Sequence, residues 1–140
     1  MTTEHPAVLF VCSKNGGKSQ LAAGLMRDLA GDNITVYSAG TKPAESLNGQ
    51  AVDSLTELGI DVTGEYPKPV TDEVLNLVDA VIVLGTEAKL DAPAGKRFEI
   101  WETDEPSTRG IEGMERMRLV RDDIKTRVQA LHNDLTDSTN

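Results

Sequence analysis

The chain has 140 residues, of which 39% are hydrophobic, and it carries a net charge of −9. This length suits one domain with a buried core, and the acidic balance argues against a general binder of nucleic acid or of acidic membranes. The single cysteine, Cys12, excludes an internal disulfide and a cysteine-rich zinc site, and no apolar run is long enough to cross a bilayer. We therefore expect one cytoplasmic domain over residues 1–140 without a signal peptide, with frayed tails at 1–6 and about 134–140.

The first half of the chain alternates apolar runs with helix-like patterns. We predict a strand buried on both faces at 7–11, a helix at 19–29 ended by Gly31, a strand at 34–38 and a helix at 48–58 ended by Gly59. Apolar residues recur at helical spacing in both helices: Leu21, Leu25 and Leu29 in the first, and Val52, Leu55 and Leu58 in the second.

The second half continues the alternation. Thr71 is placed to cap a short helix that reaches Val78, and strands follow at 80–84 and 97–101. A polar loop at 104–110 leads into a last helix at 112–133, whose inward stripe is Met117, Val120, Ile124, Val128 and Leu131. Alternating strands and helices predict an α/β fold, a four-stranded parallel sheet with helices on both faces.

A sheet of this kind binds ligands beyond the carboxyl ends of its strands, where the strand order reverses. The first strand ends at Cys12, and the loop at 104–110 follows the last strand, so we expect both at one edge. After Cys12 comes a short polar loop whose backbone N–H groups, next to a helix N-terminus, can converge on an anion. The predicted oxyanion-binding residues are Ser13, Lys14, Asn15, Gly16, Gly17 and Lys18.

The same loop suggests a role for the lone thiol. The helix N-terminus and Lys18 favour the thiolate of Cys12, and the Ser19 hydroxyl can donate to the sulfur. A thiolate at the floor of an oxyanion cradle is a nucleophile aimed at the central atom of that oxyanion. Two plainer interpretations stay open: a cysteine that only packs in the core, and a Gly-Gly pair that only turns the chain. A nucleotide-binding phosphate loop does not fit, because the first glycine of that motif is missing.

These motifs resemble those of the low-molecular-weight protein tyrosine phosphatases and of the arsenate reductases built on the same fold. The likeness begins with a Cys-x5-basic-Ser loop and extends through the segments VLFVC, NGGKSQLAA, YSAGTKPAESLN, VIVLG, WETDEPS and GMERMRLVRDDI. The combination of NGGKSQ with SAGTKPA is most similar to the actinobacterial arsenate reductases that use mycothiol. The resemblance implies an arsenate reductase, an arsenate-mycothiol transferase, with Cys12 as its nucleophile.

Two positions depart from the family pattern. The loop arginine of the family falls on Lys18, and an ammonium is a point charge where a guanidinium would hold two oxygens at once. We therefore expect weaker oxyanion binding and poor phosphomonoesterase activity. The family's Asp-Pro acid falls on Glu105, so the resemblance implies that Glu105 is the general acid, and Asp104 beside it is a candidate second acid.

The resemblance also implies the order of reaction. Cys12 attacks arsenate, Glu105 protonates the departing hydroxyl, and a second thiol takes over the arsenic. Thioredoxin-coupled reductases carry two further cysteines and this chain has none, so the second thiol must come from outside. We expect mycothiol as co-substrate, no bound cofactor, and a glutaredoxin-like partner, mycoredoxin, that releases arsenite. A phosphatase acting on phosphotyrosine or small phosphate esters, and a non-catalytic oxyanion-binding regulator, stay open as alternatives.

The remaining charged residues receive no role in this interpretation. His5 and His132 lack metal-ligand spacing, so we predict no metal site. The last helix carries arginines that we expect on its solvated or ion-paired faces: Arg116, Arg118 and Arg121. Glu112 lies four residues before Arg116 and can pair with it. A role for these arginines in gripping an anionic partner stays open as an alternative.

Overall fold

A computed structural model describes residues 5–137 of the chain. The strands are β1 (Ala7–Cys12), β2 (Thr35–Gly40), β3 (Ala80–Leu84) and β4 (Arg97–Trp101). The helices are α1 (Lys18–Ala30), α2 (Gly49–Thr56), α3 (Asp72–Leu77) and α4 (Gly113–Asp137). All four strands are parallel and form one sheet in the order β2-β1-β3-β4, which confirms the predicted fold class.

Helices cover both faces of the sheet, as predicted. Val8 and Phe10 of β1 face a core formed with α1, α2 and α4, whereas Leu9 and Val11 face the opposite side, where α3 and the residues on either side of it pack. All six residues of β1 are buried, because this central strand pairs with β2 on one side and with β3 on the other. A strand covered on both faces and both edges has to be apolar throughout, which is why it appears as an unbroken run in the sequence.

The strand order reverses beside β1. The chain moves from β1 to β2 in one direction and then returns to place β3 on the other side of β1. The crevice between the carboxyl ends of β1 and β3 is therefore the switch point where ligands bind in open parallel sheets. Cys12 closes β1 at this crevice, and Gly85 follows the end of β3.

Helix caps and the inward stripe of α4 agree with the sequence. Asn48 and Thr71 accept backbone N–H bonds that start α2 and α3. The predicted stripe of α4 from Met117 to Leu131 is buried.

The tail predicted from about 134 was placed too early: α4 continues to Asp137, because Leu135 extends the buried stripe by one more turn. Of the other predicted tail, residues 1–4 lie outside the described residues, while the carbonyl of Pro6 accepts a bond from Thr35.

Two leucines at the ends of the predicted helical stripes are exposed. Leu29 has 43% and Leu58 has 39% of its surface exposed. On α1 a step of four residues rotates by about 40° beyond a full turn, so the stripe through Leu21 and Leu25 has left the buried face at Leu29. Leu58 lies beyond α2, which ends at Thr56, so no helix carries it to the core.

None of the helices in residues 5–137 has the length and apolar character needed to span a membrane.

Candidate active site

A cleft of about 660 Å³ opens at the switch point, where the sequence predicted a site. Five segments form its walls: the loop after β1, the segment at 44–48, the residues after β3, the residues after β4, and the first turns of α4. Cys12 and Lys18 share this cleft with Glu105 and Arg116. The structure thus brings the predicted nucleophile, most of the predicted anion loop and the predicted acid to one place.

The loop after β1 has its carbonyl groups occupied by a neighbouring segment. Backbone N–H groups of residues 41–48 donate to four loop carbonyls, those of Cys12, Ser13, Lys14 and Gly16, over 2.7–3.2 Å. The N–H and C=O of one trans peptide unit point in opposite directions. Because each of these carbonyls points toward residues 41–48, the N–H of the residue that follows it points toward the other side of the loop. The N–H of Asn15 accordingly donates to the Cys12 sulfur over 3.2 Å. The loop is therefore shaped to present donors on the side of the sulfur.

The Cys12 sulfur has two polar neighbours. Besides the N–H of Asn15, the Ser19 hydroxyl lies 3.0 Å from Sγ. The Asn15 side-chain amide donates to that hydroxyl oxygen over 2.7 Å, which leaves the hydroxyl hydrogen available to the sulfur. Two hydrogen-bond donors therefore converge on the sulfur of the predicted nucleophile. Asn15 and Ser19 are both fully buried, so they act from beneath the nucleophile.

Asn15 connects the loop to a distant segment. Its Oδ1 accepts a bond from the N–H of Lys68, and the Lys68 ammonium in turn lies 3.3 Å from the Ser38 hydroxyl. The backbone of Asn15 adopts a left-handed conformation with φ of 54°, which asparagine tolerates better than most residues. Gly40 at the end of β2 packs against it: an added Cβ there would lie 2.8–2.9 Å from atoms of Ser13 and Asn15. The position of the loop therefore depends on β2 and on residue 68.

Lys18 reaches across the floor of the cleft. A Cβ added at Gly85 would lie 3.6 Å from the Lys18 Nζ, so the ammonium lies beside the end of β3. It makes no hydrogen bond or ion pair with another group in residues 5–137, and its positive charge is available to a bound anion. Gly85 has a φ of 89°, a conformation that favours glycine and keeps this corner open.

The predicted acid faces an arginine. Glu105 accepts two bonds from Arg116, 2.7 Å from Nε to Oε2 and 3.0 Å from Nη2 to Oε1, and a third of 2.7 Å from the Ser107 hydroxyl. The Arg116 hydrogen bonds, with smaller help from Ser107, lower the pKa of Glu105 from 4.5 to about 2. In this arrangement Glu105 is an ionised carboxylate at neutral pH.

Asp104, the candidate second acid, has a similar partner on the other side of the loop. Its carboxylate accepts two bonds from Arg109, of 2.8 and 3.0 Å, which lower the pKa of Asp104. The Asp104 side chain is not part of the cleft wall. The structure thus separates the two neighbouring acids: Glu105 lines the cleft that holds Cys12, and Asp104 lies outside it.

Sequence reasoning missed three features around the site. Arg116 was expected on a solvated or locally paired face of α4, and its guanidinium instead binds Glu105 in the cleft. Lys68 received no role, since nothing in its segment points to the loop it supports. Arg121 was expected on a solvated or ion-paired face; it does pair with Glu57, but it is only 8% exposed and its guanidinium also donates to the Ser54 carbonyl. Within the described part of the chain no group of three or more His, Cys, Asp or Glu side chains could hold a metal.

Comparison with known proteins supports the resemblance drawn from the sequence. Residues 7–140 match the family described as low molecular weight phosphotyrosine protein phosphatase. An arsenate reductase of Bacillus subtilis is 33% identical over 135 residues, which cover 90% of this chain and 94% of that protein. The chain therefore belongs to the low-molecular-weight phosphotyrosine protein phosphatase family.

Two solved structures share the fold as well as part of the sequence. A thioredoxin-dependent arsenate reductase of Corynebacterium glutamicum superposes with a TM-score of 0.84 at 30% identity, covering 99% of this chain but only 65% of that one. An arsenate reductase in its phosphate-binding state superposes with a TM-score of 0.79 at 29% identity, covering 93% of this chain and 98% of that one. The proteins that resemble this chain in sequence and structure thus include several arsenate reductases.

Proposed function

We propose that this protein is an arsenate reductase of the thiol-transfer type. The observation that carries the proposal is a single thiol with two hydrogen-bond donors on its sulfur, at the floor of a loop that directs N–H groups to the same side. The ammonium of Lys18, which has no ion-pair partner within residues 5–137, adds positive charge at this point. The similarity to arsenate reductases selects arsenate among the tetrahedral oxyanions that such a loop can hold.

The first chemical step joins arsenic to the protein. Arsenate binds to the loop at 13–18, and the Cys12 thiolate attacks the arsenic atom. As the arsenic–sulfur bond forms, one arsenic–oxygen bond breaks, and the oxygen leaves as water after it accepts a proton from Glu105. The arsenic remains pentavalent in this Cys12 adduct, because no electron pair has yet been transferred to it.

The second step needs another thiol. Its thiolate attacks the arsenic, the bond from arsenic to Cys12 breaks, and the thiol proton returns to Glu105. Reduction follows outside the cleft, when a thiolate of a glutaredoxin-like protein attacks the sulfur of the adduct. A disulfide then forms, two electrons pass to the arsenic, and arsenite is released.

An external low-molecular-weight thiol is the co-substrate that suits this chain best, and we infer that it is mycothiol. These 140 residues contain one cysteine, so they supply no second sulfur nucleophile. The cleft has a volume typical of pockets that hold drug-sized ligands, well above the needs of one oxyanion. Its rim offers the polar side chains of Ser46, Asn48 and Thr86 to a hydroxyl-rich thiol.

The test is arsenate-dependent thiol consumption by the purified protein with three reducing systems: mycothiol with mycoredoxin, glutathione with glutaredoxin, and thioredoxin with its reductase. We expect turnover with the mycothiol system and none with the Cys12→Ser variant, whose folding is checked by its thermal melt. Efficient turnover with thioredoxin alone would contradict the external small thiol. Anion binding without turnover in any system would contradict the enzyme altogether and favour an oxyanion-binding regulator.

The alternative function is a phosphatase, which would use the same Cys12 with water to resolve the intermediate. None of the described residues that line the cleft is aromatic, so nothing there grips a phosphotyrosine ring. Ser107 and Thr108 follow Pro106 where an aromatic side chain would be needed. Hydrolysis of p-nitrophenyl phosphate at a rate close to that of arsenate turnover would favour this alternative.

A further inference from the structure

Arg116 occupies a position that the proposed reaction has not yet used. It lies in the first turn of α4, and its side chain is 26% exposed and lines the cleft together with Cys12 and Lys18. Among the described residues that line this cleft, it is the one that carries a guanidinium. Two N–H groups of this guanidinium, which form a planar fork, donate to the two carboxylate oxygens of Glu105.

The loop itself lacks such a fork. Lys18 supplies a single ammonium, which cannot hold two oxygens of an anion in fixed positions. Two oxygens of a tetrahedral oxyanion can take the same pair of N–H bonds from a guanidinium that a carboxylate takes. The Glu105 carboxylate therefore bonds to the donors that an oxyanion would use.

We propose that Arg116 is a substrate-binding residue that exchanges Glu105 for the incoming oxyanion, and that this exchange releases Glu105 to act as the acid. The proposal rests on the proposed function, since it deepens the binding step of that same cleft. The pair is suited to exchange because both side chains are partly exposed, so water and salt screen the attraction between them.

The exchange resolves a conflict between the geometry of Glu105 and its expected role. A general acid must carry a proton when the substrate is bound, yet the bonds from Arg116 keep the pKa of Glu105 at about 2. Once Arg116 has moved to the oxyanion, its two hydrogen bonds no longer hold Glu105 in the ionised form, and the bonds from Ser107 remain. The bound anion favours protonation of Glu105, and so do the other two carboxylates of the cleft, Glu87 and Glu102. The two lysines of the cleft, Lys14 and Lys18, oppose this protonation.

The experiment is a double-mutant cycle on anion affinity, measured by calorimetry with inorganic phosphate, which binds like arsenate but is not reduced. The four proteins are the wild type, Glu105→Gln, Arg116→Gln and the double variant. We expect Glu105→Gln to bind phosphate about threefold to tenfold more tightly, because Arg116 no longer has a competing partner. In that background Arg116→Gln should weaken binding about 10- to 100-fold, the loss expected for charge-assisted hydrogen bonds.

Two control variants separate exchange from simple charge effects. Glu102→Gln removes a carboxylate from the same cleft without releasing Arg116, so it should tighten binding less than Glu105→Gln does. Arg109→Gln breaks the neighbouring ion pair outside the cleft and should leave phosphate affinity unchanged. If Arg116→Gln folds poorly, Arg116→Lys keeps the charge without the fork, and we expect it to bind phosphate more weakly than the wild type.

Two results would overturn the proposal: equal tightening by Glu105→Gln and Glu102→Gln, or an Arg116 substitution that leaves affinity unchanged in the Glu105→Gln background. Either would mean that Arg116 only holds Glu105 in place. A wild-type protein that binds neither phosphate nor arsenate would instead contradict the proposed function. A wild type that turns over arsenate while the cycle shows no coupling would contradict the exchange alone.

Discussion

The two sides of the cleft hold their functional groups by different physical means. On the side of Cys12, the groups come from one stretch of eight residues and contact each other through buried hydrogen bonds. On the acid side, Glu105 and Asp104 are each about one-third exposed, and each is bound by an arginine from further along the chain. One side is thus a buried network, and the other is a pair of surface ion pairs.

This difference decides which side can move. Breaking the network around Asn15 would leave buried donors and acceptors without partners, which costs about 1–3 kcal/mol for each group. Breaking an exposed ion pair costs about 0–1 kcal/mol, because water replaces the lost bonds. We infer that the nucleophile is held rigidly before substrate arrives, whereas the acid is free to change partners during the reaction.

The largest expected effect separates the two acids. We expect Glu105→Gln to lower kcat for arsenate about 10³-fold, within the range that general acids contribute, while Asp104→Asn changes kcat less than about threefold. The reason is position: Glu105 lines the cleft, whereas Asp104 faces Arg109 outside it. Steady-state kinetics with the thiol system that supports turnover measures both variants. A comparable loss in the two variants, or a loss confined to Asp104→Asn, would make Asp104 the acid.

The next effect tests the rigid side. Asn15→Gly keeps a residue that accepts the left-handed backbone but removes both side-chain hydrogen bonds, to Ser19 and from Lys68. We expect kcat/KM to fall about 100-fold, the loss of charge-assisted support for the sulfur. Asn33→Ala, at an exposed position after α1, is the matched control and should leave kcat/KM unchanged. Wild-type activity in Asn15→Gly would mean that only the backbone conformation matters.

Most of the fold could be predicted from the sequence because its signals are local. The unbroken apolar run of β3 predicts a buried strand, and Gly31 ends α1 with a positive φ as expected. The order of the strands has no such local signal, since it depends on how distant segments pair. Leu29 and Leu58 were misplaced because a spacing of three or four residues does not specify where a helix stops or how far its face rotates.

In the site, as in the fold, residues close in sequence could be predicted together, whereas contacts between distant segments could not. Residues 12–19 are neighbours in sequence, so their chemistry could be predicted together. Arg116 could not be assigned to Glu105, because Glu112 offers an equally plausible partner one helical turn away, and only the packing of α4 on the loop decides between them. Lys68 reaches Asn15 across 53 positions of sequence, and its segment shows no periodicity that points to the loop.

A smaller effect concerns the packing of β2 against the loop. Gly40→Ala would place a Cβ 2.8 Å from the Ser13 carbonyl oxygen, too close to be accepted without moving backbone. We expect a loss of about 1–3 kcal/mol in the free energy of unfolding, measured with urea, and about tenfold lower kcat/KM. Gly49→Ala has open space around the new Cβ and serves as the control. Equal behaviour of the two variants would show that the loop tolerates displacement and is not rigid.

The smallest expected effect is the pH dependence of the acid side. Because Arg116 lowers the pKa of Glu105 from 4.5 to about 2, this ion pair stabilises the fold above about pH 4.5 and loses its contribution as the pH falls toward 2. The wild type should therefore exceed Glu105→Gln in unfolding free energy by less than about 1 kcal/mol at neutral pH, since the carboxylate is one-third exposed. Urea unfolding of both proteins at several pH values between 7 and about 2.5 measures the difference, which should shrink on acidification and in 1 M salt. A difference that stays constant over this range would mean that Glu105 and Arg116 are not paired in solution, and the acid side would then have no ion pair to exchange.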